Sequence, residues 1–162
     1  ITAVIKADGY GHGAVYIAET LLENGADRFA VATLSEAMQL KTFFPNIETM
    51  VLGYTPENLA LDLIKYNIIQ TIYTLEQAKE FSQAAISLNK KIIVHIKLDT
   101  GMTRLGMVFE DKTIDNILEI SKLDGLIIEG IFTHFAAAVE IDKEYTIQQV
   151  KKYMYIINNF FV

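Results

Sequence analysis

The strongest constraint in this sequence is a serial alternation. Short, almost unbroken apolar runs rich in β-branched residues fall at 1–5, 29–32, 50–52, 68–73, 92–96 and 126–131. Runs of that kind suit strands buried on both faces of a parallel sheet. Stretches with helical spacing lie between them. Ala14, Ile17, Ala18, Leu21 and Leu22 form the i, i+3, i+4, i+7 stripe of a helix with one buried face, and Asn24-Gly25 supplies its stop. Thr55-Pro56 reads as an N-cap followed by a first-turn proline. Thr74 and Gln77 have capping-box spacing ahead of a helix to about Leu88. Further helices are expected at 34–42, 111–122 and 143–160.

About six βα units therefore follow one another, with no visible repeat or low-complexity linker. Right-handed crossovers leave an open doubly wound sheet or a (β/α)8 barrel. A complete barrel needs about 250 residues, and this chain has 162. The spacing per unit is that of a barrel, but the series stops two units short. A six-stranded arc would leave two buried-type edges unpaired. The expected fold class is α/β, a partial TIM-type (β/α)8 barrel, with residues 1–162 as a single domain belonging to a larger barrel. The chain starts at Ile1 rather than Met, which implies a preceding segment.

Composition narrows the function. Half the residues are hydrophobic (51%) and 21% are charged, a globular balance. The net charge of −6 lacks the basic footprint of a nucleic-acid binder and disfavours an anionic membrane surface. No apolar run reaches the length of a membrane span. Without cysteine there is no disulfide, thiolate metal site or Cys nucleophile. Of the three histidines, His12, His95 and His134, neither His12 nor His134 has a carboxylate at ligand spacing, so no metal is expected.

In either α/β architecture, chemistry sits just past the C-terminal ends of the strands. After the first run comes Lys6-Ala7-Asp8-Gly9-Tyr10-Gly11-His12-Gly13. A lysine at the end of a buried strand is partly desolvated, which suits covalent capture of a carbonyl. The glycines and the helix start behind them suit a phosphate. A strand-capping lysine before an ordinary turn reads equally from the residues alone. After the fifth run, Lys97, Asp99 and Arg104 gather charge; Arg104 could meet a carboxylate, phosphate or phenolate, or sit in an internal salt bridge. His95 shares a strand face with Lys97 and reads as structural. After the sixth run, His134 could be an acid, a base or an orienting group. There is no Walker loop and no GxSxG elbow.

Three segments taken together resemble bacterial alanine racemases. They are Ala3 to Gly13, which is similar to the family's pyridoxal-phosphate attachment signature, then Lys97 to Gly106, and Glu129 to Ala136. Val51-Leu52-Gly53-Tyr54 is a weaker fourth, and the matches occur in family order along almost the whole chain. The resemblance implies a role for each residue. Lys6 would hold pyridoxal 5'-phosphate covalently and act as one of two catalytic bases. Tyr10 would contact the cofactor phosphate and Arg104 its phenolic oxygen. Lys97 matches a lysine that is carbamylated in many members, the carbamate orienting the arginine. His134 would support the cofactor ring, and Leu52 would line the pocket. The resemblance further implies a cytoplasmic homodimer making D-alanine for peptidoglycan. The opposite-face base would be a tyrosine on a C-terminal β domain of the partner subunit, a domain absent from this chain, so the fragment is expected to be inactive alone. Ala137-Ala138-Val139-Glu140 departs from the family's usual Thr-Ala-Asp-Glu. The alternatives are a non-catalytic barrel that binds pyridoxal phosphate in its homeostasis, and a fragment without a ligand.

Overall fold

The computed structural model describes residues 1–160, so the last two residues of the expected domain lie outside the described residues. Its strands are β1 (Thr2–Val4), β2 (Arg28–Val31), β3 (Glu48–Val51), β4 (Ile68–Ile72), β5 (Ile92–Asp99), β6 (Met107–Val108) and β7 (Leu126–Phe132). Every pairing is parallel, and the main arc runs β1-β2-β3-β4-β5-β7 in chain order. The helices are α1 (Lys6–Tyr10, a single turn), α2 (Ala14–Glu23), α3 (Leu34–Phe43), α4 (Ala60–Lys65), α5 (Leu75–Ser87), α6 (Thr113–Ile120) and α7 (Glu144–Phe160). This is the partial barrel expected from the alternation of runs: sequential parallel strands with helices on one face.

Strand alternation divides the side chains between the two faces. Phe29, Val31, Val51, Ile68, Ile72, Val94, Ile96 and Leu98 point outward into one apolar core with Leu40, Leu63, Phe81, Ile117 and Ile120 of the helices. Each large side chain wholly removed from water there contributes about 1.5–3 kcal/mol. The intervening residues, including Ala30, Met50, Thr71, His95 and Lys97, face the barrel interior. The two ends of the arc are open, and Val4 and Ile127 are exposed there.

A β-bulge sits between β5 and β7. The register passes from Val94↔Ile128 to His95↔Gly130 and leaves Glu129 as the extra residue. Glu129 Oε2 lies 2.7 Å from His95 Nε2 and accepts from Arg28 Nη1 at 2.8 Å. Arg28 also donates to Glu48 through Nε at 2.8 Å. Three strands separate β2 from β7, so the Arg28–Glu129 pair is a strut across the arc. His95 is structural, as the sequence suggested. Gly130 has no room for a side chain, because a Cβ would stand 2.9 Å from the His95 ring.

Local departures from the expected pattern have physical causes. The fifth strand runs to Asp99, carrying Lys97 within it rather than after it, because β6 extends the pairing through Leu98↔Met107. Thr55 caps no helix. Its hydroxyl donates to Gln70 Oε1 at 2.6 Å, Pro56 adopts ψ 140°, and a 3-10 turn (Glu57–Leu59) precedes α4. Thr74 does cap α5, accepting from Gln77 N at 3.1 Å, while the Gln77 side chain accepts from Tyr73 N.

Candidate active site

The C-terminal ends of β1, β2, β3, β5 and β7 surround a cavity of about 450 Å³. Lys6, Tyr10, Leu52, Lys97, Arg104 and His134 all line it, with Val4, Ala32, Gly53, Leu105 and Phe132. These six are the residues singled out from the sequence, and four separate segments bring them together. A volume of this size is ordinary for a small-ligand pocket.

Lys6 and Tyr10 owe their placement to an unusual turn. Ala7, Asp8 and Tyr10 stand at φ 51°, 51° and 56°, and Gly9 at 63°, so α1 is a left-handed turn. Left-handed backbone costs a non-glycine residue about 1–2 kcal/mol, or about 3–6 kcal/mol for these three together. The turn is heavily bonded in compensation. Gly9 N donates to Ile5 O at 2.9 Å and Gly13 N to Asp8 O at 2.8 Å. Asp8 Oδ1 accepts from Ala14 N at 2.8 Å and so caps α2. Glu36 Oε1, reaching from α3, accepts from Ala7 N at 2.8 Å. The glycine segment therefore differs from the open phosphate cradle expected of it: its amides and the first amide of α2 are engaged within the turn. Tyr10, 61% exposed, is the group it offers to the cavity.

Lys97 is 5% exposed, and its ammonium has no hydrogen bond or ion pair among the described residues. Its nearest ring is Phe132, with Nζ 5.7 Å from the centroid. Burial, reinforced by Arg104 and Lys6, pushes its pKa below the usual lysine value against a partial counter-effect from Asp99. Asp99 itself is committed to its own loop, where Oδ1 accepts from Gly101 N at 2.9 Å and Thr103 N at 3.0 Å. Among the described residues Arg104 makes no salt bridge; it lines the cavity instead. Gly106 lets its loop fold back on β5, since a Cβ would meet Asp99 N at 2.5 Å. Burial, then Arg104, Lys97 and Lys6, push the His134 pKa below 6.5, so its imidazole is neutral at neutral pH.

Lys6, Lys97 and Arg104 thus face one cavity whose lining holds no carboxylate. That donor set suits anionic groups on an occupant. Pyridoxal phosphate, with a phosphate, a phenolate and an aldehyde within reach of an amine, fits it.

Several positioning groups were missed from the sequence. Gln149 of α7, 1% exposed, joins two loops: its Nε2 donates to Thr100 Oγ1 (3.2 Å) and His134 O (3.1 Å), and its Oε1 accepts from Ala136 N (2.9 Å). Gln70 Nε2 donates to Gly53 O at 3.0 Å, holding the loop that carries Leu52. Glu36 closes a complete capping box with Thr33. The Thr33-Leu34-Ser35-Glu36 spacing was a readable signal for that box; nothing in the local sequence marks the reach of Glu36 to Ala7.

Fold and site together define a class: a parallel β/α-barrel protein with a lysine-armed, anion-seeking pocket at the carboxyl ends of its strands. The profile described as alanine racemase, N-terminal domain, matches residues 1–160. The alanine racemase of Clostridium tetani is 50% identical over 159 residues, covering 98% of this chain and 41% of that protein. An alanine racemase structure from Clostridium difficile 630 superposes with a TM-score of 0.94 at 41% identity, covering 98% of this chain and 44% of that one. A histidine racemase from Leuconostoc mesenteroides superposes at 0.89 with 29% identity, covering 94% of this chain and 41% of that one. The chain belongs to the alanine racemase N-terminal domain family. It spans about two fifths of the length of the curated relatives it matches.

Proposed function

We propose that this chain is the cofactor-binding part of a pyridoxal-phosphate-dependent alanine racemase. The observation that carries the reading is the convergence of Lys6, Tyr10, Leu52, Lys97, Arg104 and His134 on one cavity without a carboxylate in its lining. Pyridoxal phosphate, when bound, supplies an electron sink that makes the α-carbon of an amino acid acidic enough to lose its proton. Lys6 would hold the cofactor through its Nζ, and the same amine would carry the α-proton on its own face of the substrate. Tyr10 would donate its hydroxyl to the phosphate, Leu52 would pack on the ring, and Arg104 would meet the phenolate. His134, its pKa lowered by burial and the neighbouring cations, would support the ring.

Lys97 is the candidate for carbamylation. A neutral amine adds to carbon dioxide and releases one proton, and burial beside two cations favours the neutral amine. The resulting carbamate would face Arg104 as an anion and lower the cationic excess of the cavity. Racemisation also needs a base on the opposite face, which this reading assigns to a region outside this chain. Residues 1–162 are then one barrel portion of a cytoplasmic homodimer that supplies D-alanine to peptidoglycan.

The test is borohydride reduction of the full-length protein mixed with pyridoxal phosphate, followed by peptide mapping and an alanine racemisation assay. Labelling at Lys6, lost with racemase activity in Lys6→Ala, is the expected result. Labelling at Lys6 without racemisation would instead mark a cofactor-holding barrel. Scattered labelling of surface lysines would overturn the reading.

A further inference from the structure

We infer that Glu36 is a positioning residue for the lysine turn, and that its two carboxylate oxygens have separate tasks. The inference rests on the function proposed above. Oε2 serves α3, accepting from Ala32 N at 2.6 Å and Thr33 N at 3.2 Å. Oε1 serves the turn, accepting from Ala7 N at 2.8 Å across 29 residues of sequence. Ala7 directly follows Lys6, and Ala32 lines the cavity. One carboxylate therefore ties together the ends of β1 and β2 where ladder pairing has stopped. The last rung is Ile5 N donating to Ala30 O at 2.9 Å.

At Ala7 the backbone enters the left-handed region, at φ 51° and ψ 50°, and Asp8 follows it there. Alanine rarely adopts that conformation, and aspartate tolerates it better than most residues. The Ala7 amide has left the strand ladder, and Glu36 is its acceptor. Among the described residues, no other side chain from outside the turn hydrogen-bonds to it. The contact thus selects the strained path that sends Lys6 and Tyr10 into the same cavity. Glu36 is not among the described residues that line that cavity. Its effect passes through the Lys6 backbone.

The separate tasks make a clean test. In Glu36→Gln the carbonyl oxygen can serve the two donors of the α3 cap, and the amide NH2 then faces the Ala7 N–H, donor against donor. Thr33→Ala is the complementary variant, removing the hydroxyl that accepts from Glu36 N while sparing Ala7. Three readouts are made on the full-length protein: amide exchange over residues 7–13 without cofactor, the visible absorbance titration with pyridoxal phosphate, and kcat and KM for alanine. Glu36→Gln is expected to speed exchange in the turn and to raise the pyridoxal phosphate Kd, each about tenfold, the change one hydrogen bond supports. kcat should fall with little change in KM. Thr33→Ala should lower Tm and leave exchange and Kd unchanged.

Exchange and Kd within twofold of the parent in Glu36→Gln would overturn the inference. So would Thr33→Ala reproducing the Glu36→Gln effects, since cap loss would then explain them. Should the parent neither bind pyridoxal phosphate nor racemise alanine, the functional reading falls. The exchange comparison still decides whether Glu36 holds the turn.

Discussion

Replacing Gln149 by leucine isolates the tie between the two loops that flank the cavity. The side chain is almost fully buried and makes three hydrogen bonds, to Thr100, His134 and Ala136. At about 1 kcal/mol net for each, their loss removes about 3 kcal/mol. Two terms reduce that figure. His134 and Ala136 lie in exposed backbone, so water can replace the glutamine there. A buried leucine also returns about 1 kcal/mol of apolar transfer. Thr100 keeps its partner, because its hydroxyl still pairs with Thr133 Oγ1 at 2.8 Å, which in turn donates to Leu98 O at 2.9 Å. The expected net destabilisation is about 1–2 kcal/mol, lowering Tm by about 3–6 °C for a domain of this size. The local effect should be sharper. Exchange at the Ala136 amide should rise about 10–30-fold, because its acceptor is gone while the helix beneath it stays folded. Differential scanning calorimetry and amide exchange by mass spectrometry measure the two quantities. An unchanged Ala136 exchange rate with an unchanged Tm would refute the reasoning, and the loops would then be held by apolar packing alone.

Glu129→Gln should weaken the strut between β2 and β7. Although partial burial opposes it, the His95 hydrogen bond and Arg28 hold the Glu129 carboxyl below its ordinary 4.5. A depressed folded value gives stability that is complete above the unfolded value and lost as pH falls through the folded one. The stability gap between parent and variant should therefore be constant at neutral pH and close under acid, as urea melts across pH would read. Gly130→Ala should destabilise by about 1–3 kcal/mol through overpacking against the His95 ring, measured by chemical denaturation. His134 should titrate below 6.5 by NMR, and Arg104→Gln should move that midpoint upward by removing a neighbouring positive charge.

The alternating runs were legible because parallel strands covered on both faces need continuous apolar sequence, as the fully buried β4 illustrates. The chemistry-bearing residues were legible for a related reason. In a β/α architecture the residue after a strand is directed to the rim, so Lys6 and His134 could be nominated from position, whereas Leu52 entered only through the family resemblance. Strand ends read less well. Lys97 looked like the residue just past a strand, yet it lies inside β5, buried and, among the described residues, without a counter-ion. The glycines after Lys6 looked like an open cradle, and instead they complete a left-handed turn whose amides are spent internally.

The sequence by itself thus determined the class of fold, since hydrophobic period is a local property, and its strand-end positions together with the family resemblance named the candidate residues. The tertiary structure alone decided how those residues are held. Glu36 meets Ala7 across 29 residues, Gln149 meets Thr100 across 49, and Glu129 meets Arg28 across three intervening strands. Such contacts depend on where the curvature of the sheet brings separate strand ends. That curvature is a property of the packed arc, and no single segment of the chain carries it.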